Sequence, residues 1–159
     1  MRRIFTILVL LGFLCLTREA WADEPAAVTG RVVKVLPFLL NHKGQAALSP
    51  SLFDRDAYQA YLREHTNEIA AVRYDVLWKA AGPKDARVKI RVELRAIAPD
   101  GTPVLKTVEA TEPRPGYFGH WTSFKLAGAD YIKVREAVAW RATLWSGDQL
   151  LSEQKSFLW

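Results

Sequence analysis

Val88-Lys89-Ile90-Arg91-Val92-Glu93-Leu94-Arg95 decides the fold class. Apolar residues hold every even position of this stretch and charged residues every odd one. A period of two sends successive side chains to opposite faces of an extended chain. One face meets a core and the other meets water, as in an antiparallel sheet covered on one side.

The same alternation spreads outward in both directions. Upstream, Val72, Tyr74, Val76 and Trp78 alternate with Arg73, Asp75 and Lys79, broken by Leu77. Ala81-Gly82-Pro83-Lys84-Asp85 links the two runs as a turn. Downstream, Pro99-Asp100-Gly101-Thr102 carries the Asp-Gly hairpin signal and leads into residues 104–111. Glu112-Pro113-Arg114-Pro115-Gly116 is excluded from a strand interior, because proline has no backbone donor. Residues 118–126 read as a strand, which Gly128-Ala129-Asp130 breaks. Residues 134–145 and 150–159 form a closing hairpin around Ser146-Gly147-Asp148, with Val138, Trp140, Ala142 and Leu144 on one face. Residues 29–36 are also strand-like. The expected fold is therefore mainly β: about seven antiparallel strands at spacings typical of a sandwich.

One segment departs from the alternation. Tyr58, Tyr61 and Leu62 recur at helical spacing, Asp54 or Asp56 suits a helix N-terminus, and Arg63 and His65 suit its C-terminal end. The spacing predicts one short helix over about 54–65, inserted between the first two strands. It is expected to lie across an open end or edge of the sandwich and protect it.

The N-terminus reads as an export leader. Arg2 and Arg3 precede an apolar run over residues 4–16, and Ala20-Trp21-Ala22 supplies the small-x-small pattern of a cleavage site. Cleavage is expected after Ala22, leaving residues 23–159 as one domain in the periplasm or outside the cell, with no integral membrane span. An uncleaved anchor is the alternative, although the run is short for a bilayer. Lipidation at Cys15 is disfavoured by Leu14, where a small residue is wanted. Cys15 is the chain's one cysteine, so the mature domain would hold no disulfide, no thiol nucleophile and no thiolate metal site. The leader also removes Arg2, Arg3 and Arg18 against Glu19, which takes the formal charge from +5 to +3. That excess is dispersed, with no basic stripe of the kind nucleic acid requires.

Catalytic patterns are missing from the sequence. His42, His65 and His120 are the histidines, and no two have metal-ligand spacing. No metal or cofactor is expected. There is no G-x-S-x-G elbow and no glycine-rich phosphate loop. Asp54 and Asp56 are two apart on the predicted helix and do not face each other.

The aromatic residues are the better functional material. Trp78 and Trp140 fall on apolar strand faces and belong in the core. Trp145 has the opposite parity from Trp140 and is either exposed or packed under the helix. Tyr117, Phe118, His120 and Trp121 sit beside the 113–116 loop. They are the candidate binding residues, able to stack on a sugar ring or a partner's peptide; the alternative is a lid over the sandwich end. The closing Phe157-Leu158-Trp159 raises an outer-membrane barrel strand, but its parity would aim Lys155 and Glu153 at lipid, a costly arrangement.

Two stretches carry a resemblance. Leu48-Ser49-Pro50-Ser51-Leu52-Phe53-Asp54-Arg55-Asp56-Ala57-Tyr58-Gln59 and residues 139–159, from Ala139-Trp140-Arg141 to Phe157-Leu158-Trp159, resemble small exported proteins from the Verrucomicrobia and their relatives. The resemblance covers most of the mature chain. It implies a bacterial envelope setting and an immunoglobulin- or fibronectin-III-like sandwich, and brings no activity with it. The cysteine pair of true immunoglobulin domains is absent, so the kinship is architectural.

Three classes of function stay open. The first is a non-enzymatic interaction or structural module of the cell envelope, whose partner is another envelope protein. Its candidate surfaces are the 113–121 loop and the charged face of Lys89, Arg91, Glu93 and Arg95, the latter in the plainer reading a solvated sheet surface. The second is a carbohydrate- or small-ligand-binding module using the 113–121 aromatic loop. The third is an enzyme with a site not recognisable from sequence.

Overall fold

The computed structural model describes residues 27–115, 118–135 and 137–159. The expected leader, over residues 1–22, and Tyr117 lie outside the described residues. Seven strands follow in order: β1 (Thr29–Asn41), β2 (Ile69–Ala81), β3 (Arg87–Ile97), β4 (Pro103–Pro113), β5 (His120–Ala127), β6 (Ala137–Ser146) and β7 (Gln149–Lys155). They form a three-stranded sheet ordered β1-β2-β5 and a four-stranded sheet ordered β4-β3-β6-β7. Every pairing is antiparallel. This is the expected immunoglobulin-like sandwich, three strands over four.

The stretch that decided the fold class behaves as its pattern requires. Val88, Ile90, Val92 and Leu94 are fully buried. They meet Val72, Tyr74, Val76 and Trp78 of β2 in one core, with Phe124, Leu126, Ala142 and Leu144. Trp78 is the largest fully buried side chain, and its Nε1 donates to Thr122 Oγ1 across the β2–β5 pair at 2.9 Å.

Tyr74 is the exception within this core. Its ring is buried, yet its hydroxyl makes no hydrogen bond with any described residue. Burial alone pushes its pKa up to about 12. Between pH 10 and about 12 the folded chain keeps this proton while the unfolded chain loses it. Stability should therefore fall as pH rises through that window, by at most about 1.4 kcal/mol per pH unit. Denaturant titrations at stepped pH will show the decline, and Tyr74→Phe will flatten part of it.

Helix α1 (Leu52–Glu64) is the expected insertion between the first two strands. Its N-cap is Ser51, whose hydroxyl accepts from the Asp54 amide, and not either aspartate. Leu62 of α1 and Leu40 of β1 are buried outside the main core cluster, with Ala71 paired to Leu40 across the sheet. Leu40 has the parity opposite to the inward Val35, so α1 packs on the outer face at one end of the three-stranded sheet. It also protects an edge, as expected. Gln59, 5% exposed, accepts from the Leu39 amide at 2.8 Å and donates to the Leu39 carbonyl at 2.9 Å and the Ala46 carbonyl at 2.8 Å. One side chain thus replaces a neighbouring strand along the free edge of β1.

The structure corrects four expectations. A second α-helix, α2 (Gly128–Val134), stands where a turn and the start of a strand were expected, so the described residues carry two α-helices and not one. β6 begins at Ala137, and its pairing with β3 shifts between Arg95 and Ala96. That bulge turns Val138 outward, to 52% exposure, and sets Ala137, paired with the buried Ala96, against the core. β1 runs on to Asn41 through Pro37, which an edge strand tolerates. β7 stops at Lys155, leaving Phe157 and Leu158 exposed beyond it.

Candidate functional site

The register of the three-stranded sheet builds a trough on its outer face. Lys34, Leu77 and Trp121 share one cross-strand row; Leu36, Asp75 and Ser123 share the next; Phe38, Arg73 and Lys125 share the third. α1 and the segment before it rise along one side. They enclose a hollow of about 390 Å³, into which Phe38, Leu52, Arg55, Arg73, Asp75 and Trp121 project.

Asp75 is the polar centre of this hollow. Its Oδ2 receives Arg73 Nη2 at 2.9 Å and Nε at 3.1 Å, and its Oδ1 accepts from Ser123 Oγ at 2.7 Å. Arg73 also lies over the Phe38 ring, 5.5 Å from its centroid, and Arg55 lies 5.3 Å from the same centroid. Cation–π attraction of this kind fixes the ring and both guanidinium groups together. Trp121 flanks the network at 45% exposure, and Leu52 stands opposite at 68%. The hollow therefore offers apolar aromatic surface beside a fixed carboxylate, guanidinium and hydroxyl. Such a set can stack on the C–H face of a sugar and hydrogen-bond its hydroxyls, or seat an extended peptide.

The sequence-predicted binding residues do not all converge here. Trp121 enters the trough. His120, its neighbour, has the opposite parity and sets its ring edge-on to Trp78 with centroids 5.7 Å apart, at the sandwich end. Phe118 is 81% exposed just before the strand, and Tyr117 lies outside the described residues. Phe38, Arg73, Asp75 and Arg55 were not among the predicted residues. The outward parity of Arg73 and Asp75 was visible; their register with Phe38 and Trp121 was not.

The other histidines stand apart. His42 Nε2 lies 3.1 Å from the Asn67 carbonyl, and His65 Nδ1 lies 2.9 Å from the Tyr61 carbonyl while its ring stacks on Tyr61. Among the described residues no group of three His, Cys, Asp or Glu side chains is placed to hold a metal.

The charged outer face of the four-stranded sheet is occupied by its own partners. Arg91 pairs with Glu109, and Arg141 pairs with Glu93 at 2.7 Å and Glu153 at 3.5 Å. Trp145 lies on this face, under neither helix, with Lys89 and Arg91 over its ring. Trp159 is held the same way by Arg95 and Arg141, 4.1 and 4.8 Å from its centroid.

Fold and trough together define an immunoglobulin-like β-sandwich with an aromatic and polar surface on one sheet. No protein-family model matches the chain, and no curated protein does. Among solved structures it is similar to an immunoglobulin-like protein from Pseudomonas aeruginosa, with 13% identity and a TM-score of 0.40, over 84% of this chain and 97% of that one. A likeness of that size adds nothing about function. No helix among the described residues is long and apolar enough to cross a membrane.

Proposed function

We propose that the chain is an exported, non-catalytic β-sandwich module of the bacterial envelope, which works by binding another envelope protein through the outer face of its three-stranded sheet. One observation carries this reading. Trp121, Phe38 and Leu52 offer apolar surface around the ion-paired Asp75 on that face. The outer face of the opposite sheet spends its charges on internal pairs and on two tryptophans. A tryptophan and arginines within a half-enclosed patch are the residue types that dominate binding surfaces. The leader, with Ala20-Trp21-Ala22 at its end, supports export.

The glycan reading is second, favoured by the Ser123–Asp75–Arg73 network beside Trp121. One experiment separates the two. A photocrosslinker placed at Leu52 in living cells should trap a single protein, and Trp121→Ala should reduce the yield at least tenfold while Trp145→Ala on the other sheet leaves it unchanged. Equal yields from both variants would remove this face from the proposal. If envelope glycans shift the tryptophan fluorescence and Trp121→Ala abolishes the shift, the glycan reading replaces the protein one.

A further inference from the structure

The free edge of β5 differs from the other sheet edges, and the backbone alternation shows how. Gln59 bonds both the amide and the carbonyl of Leu39, so these groups point away from β2. In an antiparallel ladder such positions alternate, and the groups of the opposing Val72 therefore point the other way, toward β5. Val72, Tyr74, Val76 and Trp78 accordingly bond with Leu126, Phe124, Thr122 and His120. Trp121, Ser123 and Lys125 are left with their amides and carbonyls aimed outward from β5, the last strand of its sheet. None of these backbone groups bonds to another described residue.

The other edges are guarded. On β1 the Val32 amide donates to Ser152 Oγ at 3.1 Å, Pro37 has no donor, and Leu39 is sealed by Gln59. The outward positions of β4 include Pro103, Glu109 and Pro113, and those of β7 include Glu153 and Lys155. Prolines and charges at such positions discourage an added strand. On β5 the one charge among the three is Lys125, which stands directly opposite Arg73 of β2. Arg73 is paired with Asp75, and Lys125 makes no ion pair with a described residue. β4, at the matching edge of the other sheet, is also incompletely covered. Its inward Val104, Val108 and Ala110 are only partly buried, whereas their partners Ala96, Val92 and Ile90 on β3 are buried.

We propose that β5 receives an extended segment of the partner protein as an antiparallel fourth strand, with an apolar side chain beside Trp121 and a carboxylate beside Lys125. The unpaired amides and carbonyls select a peptide backbone, and Lys125 facing Arg73 selects negative charge. Inward side chains of the added strand then complete the cover over Val108 and Ala110. This rests on the reading that the outer face of the three-stranded sheet binds a protein, and it specifies the form in which that protein is recognised.

The probe is a blocked peptide, Thr-Glu-Val-Thr-Val-Phe-Thr, which sets its Glu against Lys125, its central Thr against Ser123 and its Phe against Trp121. Calorimetry and amide hydrogen exchange by NMR read the result. The peptide should bind and slow exchange at the Trp121, Ser123 and Lys125 amides at least tenfold. Methylating the nitrogen of the central Thr, which points at β5, should weaken binding at least tenfold; methylating the nitrogen of the Val after it, which points away, should leave binding unchanged. Lys125→Glu should prefer a peptide with Lys in place of Glu, reversing the preference of the parent. Equal binding by the two methylated peptides, or amides that stay unprotected at saturating or millimolar peptide, overturns the proposal. So does protection that grows with protein concentration when no peptide is present, since a second copy is then the occupant. In each of those cases a Trp121-dependent crosslink at Leu52 still stands, whereas loss of that dependence defeats the underlying reading itself.

Discussion

Trp78→Ala should lower the stability of this domain by about 4 kcal/mol, the largest loss expected of a single truncation in the core. Trp78 is the largest side chain with no solvent exposure, and it sits between the two sheets toward the C-terminal end of β2. Removing the indole leaves a cavity that close-packed neighbours such as Val88 and Ile90 fill only in part. It also deprives Thr122 Oγ1, in a residue 6% exposed, of its donor at 2.9 Å, and His120 of the ring it meets edge-on. A domain of this size has roughly 5–15 kcal/mol in total, so the variant stands near the limit of folding. Trp78→Phe keeps most of the apolar bulk and loses the hydrogen bond, at about 1–2 kcal/mol. Adding Thr122→Val to Trp78→Phe should recover part of that loss, because the orphaned hydroxyl goes as well. Urea unfolding reads all three. A loss below about 1 kcal/mol for Trp78→Ala would mean that the indole is not the core residue described here.

How much of this was legible in the residues varies with the physics involved. Val88 to Leu94 and Val72 to Trp78 could be assigned face by face, because period-two alternation is a local property and both strands obey it. Val138, read by the same rule onto the face of Trp140, lies on the other. A bulge opposite Arg95 and Ala96 inverts the parity of β6 before Ala139, and nothing local announces which residue is the extra one. α2 was hidden because Gly128, at φ +56, looks like a turn residue and in fact begins a helix of seven residues, too short to display a period. Tertiary packing maintains it, since Val134 is buried in the common core. Pro37 concealed the second half of β1 and with it Phe38, the ring over which Arg55 and Arg73 gather. Trp121 and His120 are adjacent and look like one cluster, whereas adjacency in a strand guarantees opposite faces. The trough depends on register across three strands, and register is set by long-range pairing that a single sequence does not display.

Gln59→Leu should have the second-largest effect, and its signature differs in kind. Leucine suits an interior helix position by volume and helix propensity, so a purely hydrophobic account predicts a neutral or stabilising change. The structure predicts a loss of about 3 kcal/mol, because three hydrogen bonds end at once and the Leu39 amide, the Leu39 carbonyl and the Ala46 carbonyl lose their partner. The Leu39 groups belong to the outer edge of β1, a strand of thirteen residues with only β2 hydrogen-bonded beside it in its sheet. Freed, they form a template for another copy of the same strand. Gln59→Leu should therefore self-associate as its concentration rises, and sedimentation will show a larger share of associated species than the parent protein gives at the same concentration. Gln59→Glu separates the two causes. It keeps the acceptor for the Leu39 amide but, when ionised, sets a charge against the two carbonyls that the amide group had served. Protonation restores a donor, so the folded state raises the pKa of this glutamate above its unfolded value. Its defect should accordingly be largest at neutral pH and shrink as pH falls through the carboxylate range, while the defect of Gln59→Leu stays constant there. A Gln59→Leu protein that unfolds at the parent's denaturant midpoint and associates no more than the parent would show that α1 merely rests on the sheet and does not seal its edge.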